Sequence, residues 1–238
     1  MASKRKSSGG DGNQGQTKRF KSNYLDTITI LADSSETPFV AHIDALCNHS
    51  GFFRAACSKN WESGKQGCVR LPTIEPETIK SYIHWVYAAQ VNIDSVSTAH
   101  LPEPTSSVHY TSTTLDLFKL YVAADMFLDV PLKNAVMDEL LKRMGKEEFR
   151  LVPSSVKYVW ESTSETSCLR RLLVDTVAAC SSSRGLRDRA EWPQEFLLDV
   201  CAFFLDQKKS TAALAAMDPL SKAHCAYHEH TEEVGECA

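Results

Sequence analysis

The chain has 238 residues, of which 43% are apolar, enough to bury a sizeable core. No run approaches the roughly 18 consecutive apolar residues of a membrane-spanning helix, and the basic N-terminus lacks the apolar run of a secretory signal. Residues 1–23 hold six Lys and Arg side chains and one acidic residue, Asp11, so they carry a charge of about +5. The whole chain has a net charge of −4, so the remaining residues carry about −9. This negative charge disfavours phosphate-driven binding of nucleic acid.

Residues 1–23 are rich in Gly, Ser, Lys and Gln and lack hydrophobic periodicity, which predicts a disordered tail. Two basic clusters within it, separated by a polar spacer, are typical of a bipartite nuclear-import signal, and a simply solvated tail explains them equally well. We therefore expect the protein in the nucleus, the cytoplasm or both. The import candidates are Lys4, Arg5, Lys6, Lys18, Arg19 and Lys21.

From Tyr24 onwards the sequence shows hydrophobic periodicity, which marks the start of the folded part. The segment "DTITILAD" alternates Ile28, Ile30 and Ala32 with their neighbours, which predicts a strand. "SSETP" predicts a turn and "FVAHI" the returning strand of a hairpin. Residues 43–57 have helical spacing interrupted at "NHSG", which predicts two short helices.

The middle of the chain predicts a short strand at "CVRLP" and then helices. A helix that includes Pro76 in its first turn should turn Ile79, Tyr82, Ile83, Val86 and Tyr87 inward. Residues 94–113, rich in Ser, Thr and Pro, predict a surface loop. "TLDLFKLYVAADMFLDV" is apolar on nearly every side, which predicts a buried central helix. The next helix should begin at Pro131, bury Leu132, Val136, Leu140 and Leu141, and end at Met144-Gly145.

The last third of the sequence predicts further helices at "VPSSVKYVW", "CLRRLLVDTVAAC" and "WPQEFLLDVCAFFLDQ". In the third of these, Phe196, Leu197, Val200 and Phe204 form the predicted inward stripe. An Ala-rich turn over residues 211–217 and the tail "HCAYHEHTEEVGECA" follow.

The span from residue 41 to residue 57 concentrates reactive side chains, which raises the question of a nucleophile, a metal site or ordinary packing. A catalytic Cys47–His49 pair would need a cleft, a lowered thiol pKa and a third, orienting group. Nothing in this span indicates these three features, so we predict that Cys47 and Cys57 are small apolar core residues. A cysteine hydrolase stays a remote alternative, and we predict no catalytic residue and no cofactor.

The C-terminal tail contains a cluster of His and Cys. These residue types bind zinc, but the cluster lacks a Cys-x-x-Cys pair, and chain ends are commonly disordered. We therefore predict no metal site, and we expect Tyr227 to pack onto the helical part. The weak metal candidates are His224, Cys225, His228 and His230.

The order of the predicted elements and several short sequence motifs resemble those of the BTB/POZ domain. The family phrase "F-x-x-H-x-x-x-L-C-x-x-S-x-x-F" is matched from Phe39 to Phe53, and "L-x-x-Y-x-x-A-D-x-F/Y" from Leu117 to Phe127. Residues 150–238 resemble, more loosely, the small single-BTB proteins common in filamentous fungi. Further matches are Trp61 and Glu62 in an acidic turn, and Leu71, Glu75, Pro76, Glu77, Ile79, Trp85, Val86 and Tyr87 around the following helix.

This resemblance implies an α+β fold, in which a short β-hairpin and a strand pack on a cluster of helices, followed by an all-α extension. The domains would be a tail over 1–23, a BTB/POZ domain over 24–145 and a helical extension over 146–238. The resemblance also implies pairing of two domains through the first helix and neighbouring strands, as a symmetric dimer. The interface candidates are Tyr24, Leu25, Phe39, Ile43, Leu46 and Phe52, whereas Phe53 is expected in the core. The resemblance further implies that His42 hydrogen-bonds backbone near the helix start.

A second role implied by the resemblance is that of substrate adaptor for a cullin ubiquitin ligase. Family adaptors contact cullin through a hydrophobic-x-Glu motif, matched here by Leu101 and Glu103 in the predicted loop. Leu101 would enter an apolar pocket and Glu103 would meet a basic residue, although a solvated loop tip is the alternative. A transcriptional co-regulator acting through a DNA-binding partner is the alternative function. In each case the expected partners are proteins, with neither direct nucleic-acid nor membrane contact.

Overall fold

A computed structural model describes residues 25–58, 62–93, 107–146, 149, 151–180, 191–207, 219–222 and 224–231. The strands are β1 (Thr27–Ala32), β2 (Thr37–His42) and β3 (Cys68–Leu71). The α-helices are α1 (Ile43–His49), α2 (Gly51–Ala56), α3 (Glu62–Gln66), α4 (Pro76–Ala88), α5 (Ser107–Met126), α6 (Val130–Gly145), α7 (Pro153–Ser162), α8 (Cys168–Cys180) and α9 (Gln194–Gln207). Two short 3₁₀ helices, η1 (Pro219–Ser221) and η2 (His224–Tyr227), follow. The fold is α+β, as predicted.

The three strands form one sheet in the order β2-β1-β3, with β1 antiparallel to β2 and parallel to β3. Ile28, Ile30 and Ala32 of β1 are buried, because successive side chains of a strand point to opposite faces. Residues 33–36 form the hairpin turn, where Asp33 adopts a positive φ of 53° and its carboxylate accepts the Ser35 backbone N–H at 2.6 Å. The predicted hairpin is confirmed.

Helix α4 buries one face against the core, but not the whole face that the sequence predicted. Tyr87 is 49% exposed, so its predicted inward position is wrong. Trp85 is buried instead, because the Asp129 carboxylate between α5 and α6 accepts its indole N–H. Trp85 was not among the inward residues predicted from periodicity, and this tertiary hydrogen bond holds its indole in the core. The other predicted residues of the face are buried (Ile79, Tyr82 and Val86) or half-buried (Ile83).

Helix α5 begins at Ser107 rather than at Thr114, so the predicted loop is wrong over residues 107–113. Thr113 and Thr114 are buried within this helix. Ser and Thr side chains favour turns because their hydroxyls compete for backbone hydrogen bonds, but burial in a packed helix overrides that preference. The rest of the predicted loop, 94–106, lies outside the described residues.

Helix α9 packs on α7 and α8 through a narrower stripe than predicted. Phe196 and Val200 are buried, as expected, and the Phe196 ring meets Trp160 of α7 edge-to-face with centroids 5.0 Å apart. Leu197 and Phe204 are 36% and 40% exposed, so their predicted inward positions are wrong. The helix is apolar on most sides, and only packing against α7 and α8 selects the side that is buried.

The segment from η2 to residue 231 packs back across α6 and α8. Asn134 of α6 donates to the Glu229 carbonyl and accepts from the Glu229 N–H, both at 2.9 Å. Tyr227 is buried, and its hydroxyl donates to the Asp175 carboxylate of α8 at 2.7 Å. The predicted packing of Tyr227 on the helical part is confirmed. Because α6 and α8 both bind this segment, it links the two halves of the described chain.

We expect Asn134→Ala to release this segment. Two buried hydrogen bonds to the Glu229 backbone are lost, which predicts a fall of about 1–3 kcal/mol in the free energy of unfolding. Urea unfolding measures the loss, and amide hydrogen exchange at Glu229 should become faster. Asn48→Ala, at an exposed position, is the control and should change neither quantity. Wild-type exchange at Glu229 in Asn134→Ala would contradict the prediction.

Candidate protein-interaction surfaces

Ser50 holds the helical corner between α1 and α2. Its hydroxyl accepts the Phe53 backbone N–H at 3.0 Å, which caps α2, and donates to the Phe127 carbonyl at 2.6 Å. The Phe52 N–H donates to the same carbonyl. Ser50 is fully buried, so the corner is joined to the end of α5 by a satisfied polar contact. The break that the sequence predicted at "NHSG" is confirmed, and Ser50 is its cap.

Aromatic rings pack beneath this corner. Phe53 is fully buried, as predicted, and its ring centroid lies 5.2 Å from that of Phe127 and 5.9 Å from that of Tyr82. Phe52 is half-buried and touches both Phe53 and Phe127. Rings at these separations contribute contact energy beyond the apolar area that they bury.

Asp129 connects α4 to the start of α6. One carboxylate oxygen accepts the Leu132 backbone N–H at 2.9 Å and caps α6, while the other accepts the Trp85 indole N–H at 3.1 Å. The side chain is fully buried, and this burial raises the pKa of the Asp129 carboxyl above its ordinary value despite both hydrogen bonds. Asp129 therefore positions two helices.

The two thiols of the corner pair with each other. A hydrogen bond from Cys57 lowers the pKa of Cys47, and the same contact raises the pKa of Cys57. Both side chains are half-buried, and only Cys57 packs against the core. The prediction that Cys47 is a core residue is therefore wrong, because Leu46 takes the inward position of α1. The His49 ring packs edge-on against Trp85, with ring centroids 6.0 Å apart.

His42 meets Tyr87 across the sheet–helix boundary. The Tyr87 hydroxyl accepts the His42 backbone N–H at 3.0 Å and lies 2.7 Å from His42 Nδ1, to which it is free to donate its own hydrogen. The His42 side chain makes no capping hydrogen bond to α1, so the expected contact is not made as a helix cap, and the Tyr87 phenol is a partner of the imidazole. The contact gives half-exposed Tyr87 a structural role.

The predicted dimer residues divide into three groups. Leu25 is 86% exposed, at the start of the described chain. Phe39, Ile43 and Phe52 are half-buried and pack against the core. Leu46 is fully buried, so it does not belong to any surface, and its place among the interface candidates is wrong.

Val40 is an exposed apolar residue that sequence reasoning missed. It is 63% exposed on β2, an edge strand of the sheet. Its register partner on β1 is Thr29, whereas that of Phe39 is buried Ile30, so Val40 lies on the outer face and Phe39 on the core face. Side chains alternate between the two faces of a strand, so placing Phe39 and Ala41 on the core face would have placed Val40 on the outer face.

A recess of about 780 Å³ lies beside the helical corner. Leu128, between α5 and α6, is 66% exposed at its rim, and Gly51 lies so close that an added Cβ would stand 3.3 Å from the Leu128 side chain. Arg54 and His49 also line the recess. Leu128 is therefore an exposed apolar side chain beside the corner, and Val40 is another on the sheet.

Among the residues that the structure describes, no group of three His, Cys, Asp or Glu side chains is placed to hold a metal ion. His228 Nε2 instead lies 2.8 Å from the Asp138 carboxylate, and the His228 and His230 rings are 6.4 Å apart. Cys225 is a half-buried thiol, and the side chain of His224 lies outside the described residues.

Several predicted site residues fall where the structure describes nothing. These are Tyr24, the cullin candidates Leu101 and Glu103, and the import candidates Lys4, Arg5, Lys6, Lys18, Arg19 and Lys21.

Over the described ranges, no helix combines the length and apolar character needed to cross a bilayer. A small sheet, a capped helical corner and exposed apolar side chains define an α+β domain of the protein-binding class. Residues 17–130 match the family model of the BTB/POZ domain, and the chain is a BTB/POZ domain protein. Domains of this family are non-catalytic modules that mediate protein–protein interaction and dimerisation. No curated protein matches the chain.

Proposed function

We propose that this protein forms a symmetric dimer through the outer side of its hairpin and first helix, and acts in that form as a substrate adaptor for a cullin ubiquitin ligase. The observation that carries the proposal is the BTB/POZ match over residues 17–130. In this reading residues 24–145 form the pairing and scaffold-binding domain, and residues 146–238 form a helical extension.

The exposed edge of the sheet supports the dimer. Among the described strands, β2 lies at an edge of the sheet and presents Val40 outward, and Leu25, shortly before β1, is exposed. The Ile43 N–H donates to the carbonyl of Asp26, which follows Leu25 in the chain. A two-fold axis through this edge would bury the same apolar patch on both chains, as an isologous contact requires. Pro38 near the start of β2 limits open-ended strand addition.

Val40→Glu is expected to convert the dimer to a monomer. A carboxylate at the centre of an apolar interface would be buried without a partner, which should weaken association at least about 10-fold. Light scattering after size-exclusion chromatography measures the mass. Leu220→Glu, at another half-exposed apolar position on η1, is the control and should leave the dimer intact. A wild-type protein that stays monomeric at about 100 times the working concentration would remove the dimer proposal.

The cullin contact rests on Leu101 and Glu103, between α4 and α5. Affinity purification from the native cell should recover a cullin with the wild-type chain, and Leu101→Asp with Glu103→Lys should abolish recovery, because both the apolar anchor and the acidic contact are lost. Pro104→Ala, in the same segment, is the matched control and should retain cullin. Failure of the wild-type chain to recover a cullin would remove the adaptor proposal and leave the dimer proposal standing.

A transcriptional co-regulator is the second candidate function, and the basic clusters of residues 1–23 favour it. Replacement of Lys18, Arg19 and Lys21 by Ala should shift a fluorescent fusion from nucleus to cytoplasm. An unchanged distribution would remove the nuclear address, and with it the argument for this candidate.

A further inference from the structure

Helix α9 presents an apolar face to solvent. Phe196 and Val200 are buried on its inner side, whereas Leu198 and Leu205 on the opposite side are 59% and 60% exposed. The exposed apolar positions recur on successive turns, at 197 and 198, 201, and 204 and 205, so they form one continuous stripe. Members of this stripe, which we call the α9 outer face, are Leu197, Leu198, Cys201, Phe204 and Leu205.

Such a face is uncommon on a chain that acts alone. A helix that is apolar on both its inner and outer sides is normally covered on both, and a contiguous exposed apolar patch marks an interaction surface. The spacing over two turns is that of a seam that receives the side chains of a second helix.

One flank of the α9 outer face is acidic. Glu195, Asp199 and Asp206 lie on the same side of the helix, and residues 194–207 contain neither Lys nor Arg. All three are exposed; the Asp199 carboxylate accepts the Trp160 indole N–H, so Glu195 and Asp206 are the charges best placed to meet a partner. Any helix that docks here meets negative charge along one edge.

A cleft of about 720 Å³ lies between α8 and α9 on this flank. Its lining includes the carboxylates of Glu165, Asp175, Glu195 and Asp199 and the cations of Arg170, Arg171 and Lys222. The cleft therefore adds little net charge, and the acidic flank is formed by α9 itself. Arg170 donates to the carbonyls of Trp160 and Thr163, Arg171 donates to the carbonyl of Ala226, and Lys222 pairs with Asp175.

We propose that the α9 outer face and its acidic flank bind an amphipathic helix of another protein, one with leucine-type side chains on one side and Lys or Arg beside them. The apolar side of that helix packs on Leu198 and Leu205, and its cations face Glu195 and Asp206. Electrostatic complementarity of this kind selects the partner and sets its register, while apolar burial supplies most of the affinity. The proposal does not depend on the dimer or cullin proposals, since it uses only residues of α9.

A second copy of the chain is a poorer occupant. In a two-fold antiparallel pair of α9 helices, the same flank of both helices lies on the same side of the contact. The acidic residues of one copy would then face those of the other, and like charges brought together oppose association. A partner with basic flanks avoids this repulsion.

The test uses the full chain and a fluorescein-labelled helical peptide of about 18 residues, with Leu at three-to-four spacing flanked by Lys. A matched peptide has Glu in place of Lys. Fluorescence anisotropy should show binding of the Lys peptide, weakened by added salt, and at least about 10-fold weaker binding of the Glu peptide. No binding, or equal binding of both peptides, would overturn the proposal.

Variants separate the apolar face from the charges. Leu198→Ser with Leu205→Ser should weaken the Lys peptide at least about 10-fold, because two apolar anchors are lost. Glu195→Lys with Asp206→Lys should make the chain prefer the Glu peptide to the Lys peptide. An unfolded chain would lose binding of both peptides, so this reversed preference also shows that the variant is folded. Leu25→Ser with Val40→Ser, at exposed apolar positions on the sheet, is the control and should bind like the wild type.

Two further outcomes would assign the face to another occupant and so refute the proposal. Self-association that Leu198→Ser with Leu205→Ser abolishes, without peptide binding by the wild type, would assign the face to a second copy. Peptide binding that appears only after Leu214→Ser with Met217→Ser would assign it to the apolar segment of this chain that follows α9.

Discussion

Phe53→Ala should lower the free energy of unfolding by about 3–5 kcal/mol. Phe53 is fully buried, and its ring contacts three others, those of Phe52, Tyr82 and Phe127. Truncation removes these contacts and leaves a cavity under the helical corner, which the capped turn at Ser50 cannot collapse to fill. Urea unfolding followed by circular dichroism measures the loss.

Phe52→Ala is the matched control for this prediction. The two rings are neighbours, but Phe52 is half-buried, so its truncation should cost only about 1–2 kcal/mol. If the proposed dimer forms through this corner, Phe52→Ala should weaken dimerisation, whereas Phe53→Ala should act on stability alone. Equal costs for the two substitutions would contradict the assignment of Phe53 to the core and Phe52 to its edge.

Asp129→Ala should lower the free energy of unfolding by about 2–4 kcal/mol. Loss of the helix cap on Leu132 accounts for about 1 kcal/mol, and the buried Trp85 indole N–H, left without its acceptor, accounts for about 1–3 kcal/mol more. Asp199→Ala removes the same type of indole hydrogen bond, from Trp160, at an exposed carboxylate. It should cost at most about 1 kcal/mol, because water can replace the acceptor. Thermal and urea unfolding compare the two variants.

The raised pKa of Asp129 also predicts how the loss of stability on replacing this residue changes with pH. A carboxyl whose pKa is higher in the folded chain than in the unfolded chain stabilises the fold at acidic pH, and that contribution is lost as pH rises. The amide introduced by Asp129→Asn does not titrate, so the stability deficit of this variant relative to the wild type should be smaller at pH 8 than at pH 5. A deficit that grows with pH would mean that the carboxylate form is the one favoured by folding.

Local patterns predicted much of the fold. The hairpin followed from the alternation of Ile28, Ile30 and Ala32, and the break between α1 and α2 followed from "NHSG", because these signals depend on neighbours along the chain. The same logic failed where the pattern was ambiguous. Thr113 favours a turn in isolation but lies inside a buried helix, and α9 is apolar on too many sides for periodicity to choose its inner face.

The candidate surfaces were less predictable than the fold. Leu25 was expected at the dimer interface and is exposed, but Leu46, expected at the same interface, is core. Val40, Leu198 and Leu205 were not singled out, although all three are exposed apolar residues. A sequence shows that a residue is apolar, but exposure depends on which neighbouring elements cover it.

The order of residues alone establishes the α+β class, the hairpin, the helical corner and the BTB/POZ character of the chain. Periodicity, turn residues and motif spacing all depend only on positions along the chain. Folding in three dimensions decides that Asp129 holds Trp85, that Asn134 holds the backbone of Glu229, and that α9 turns Leu198 and Leu205 to solvent. These partners are 44 and 95 residues apart. Contacts across such separations form only when several elements pack at once, so no local signal encodes them.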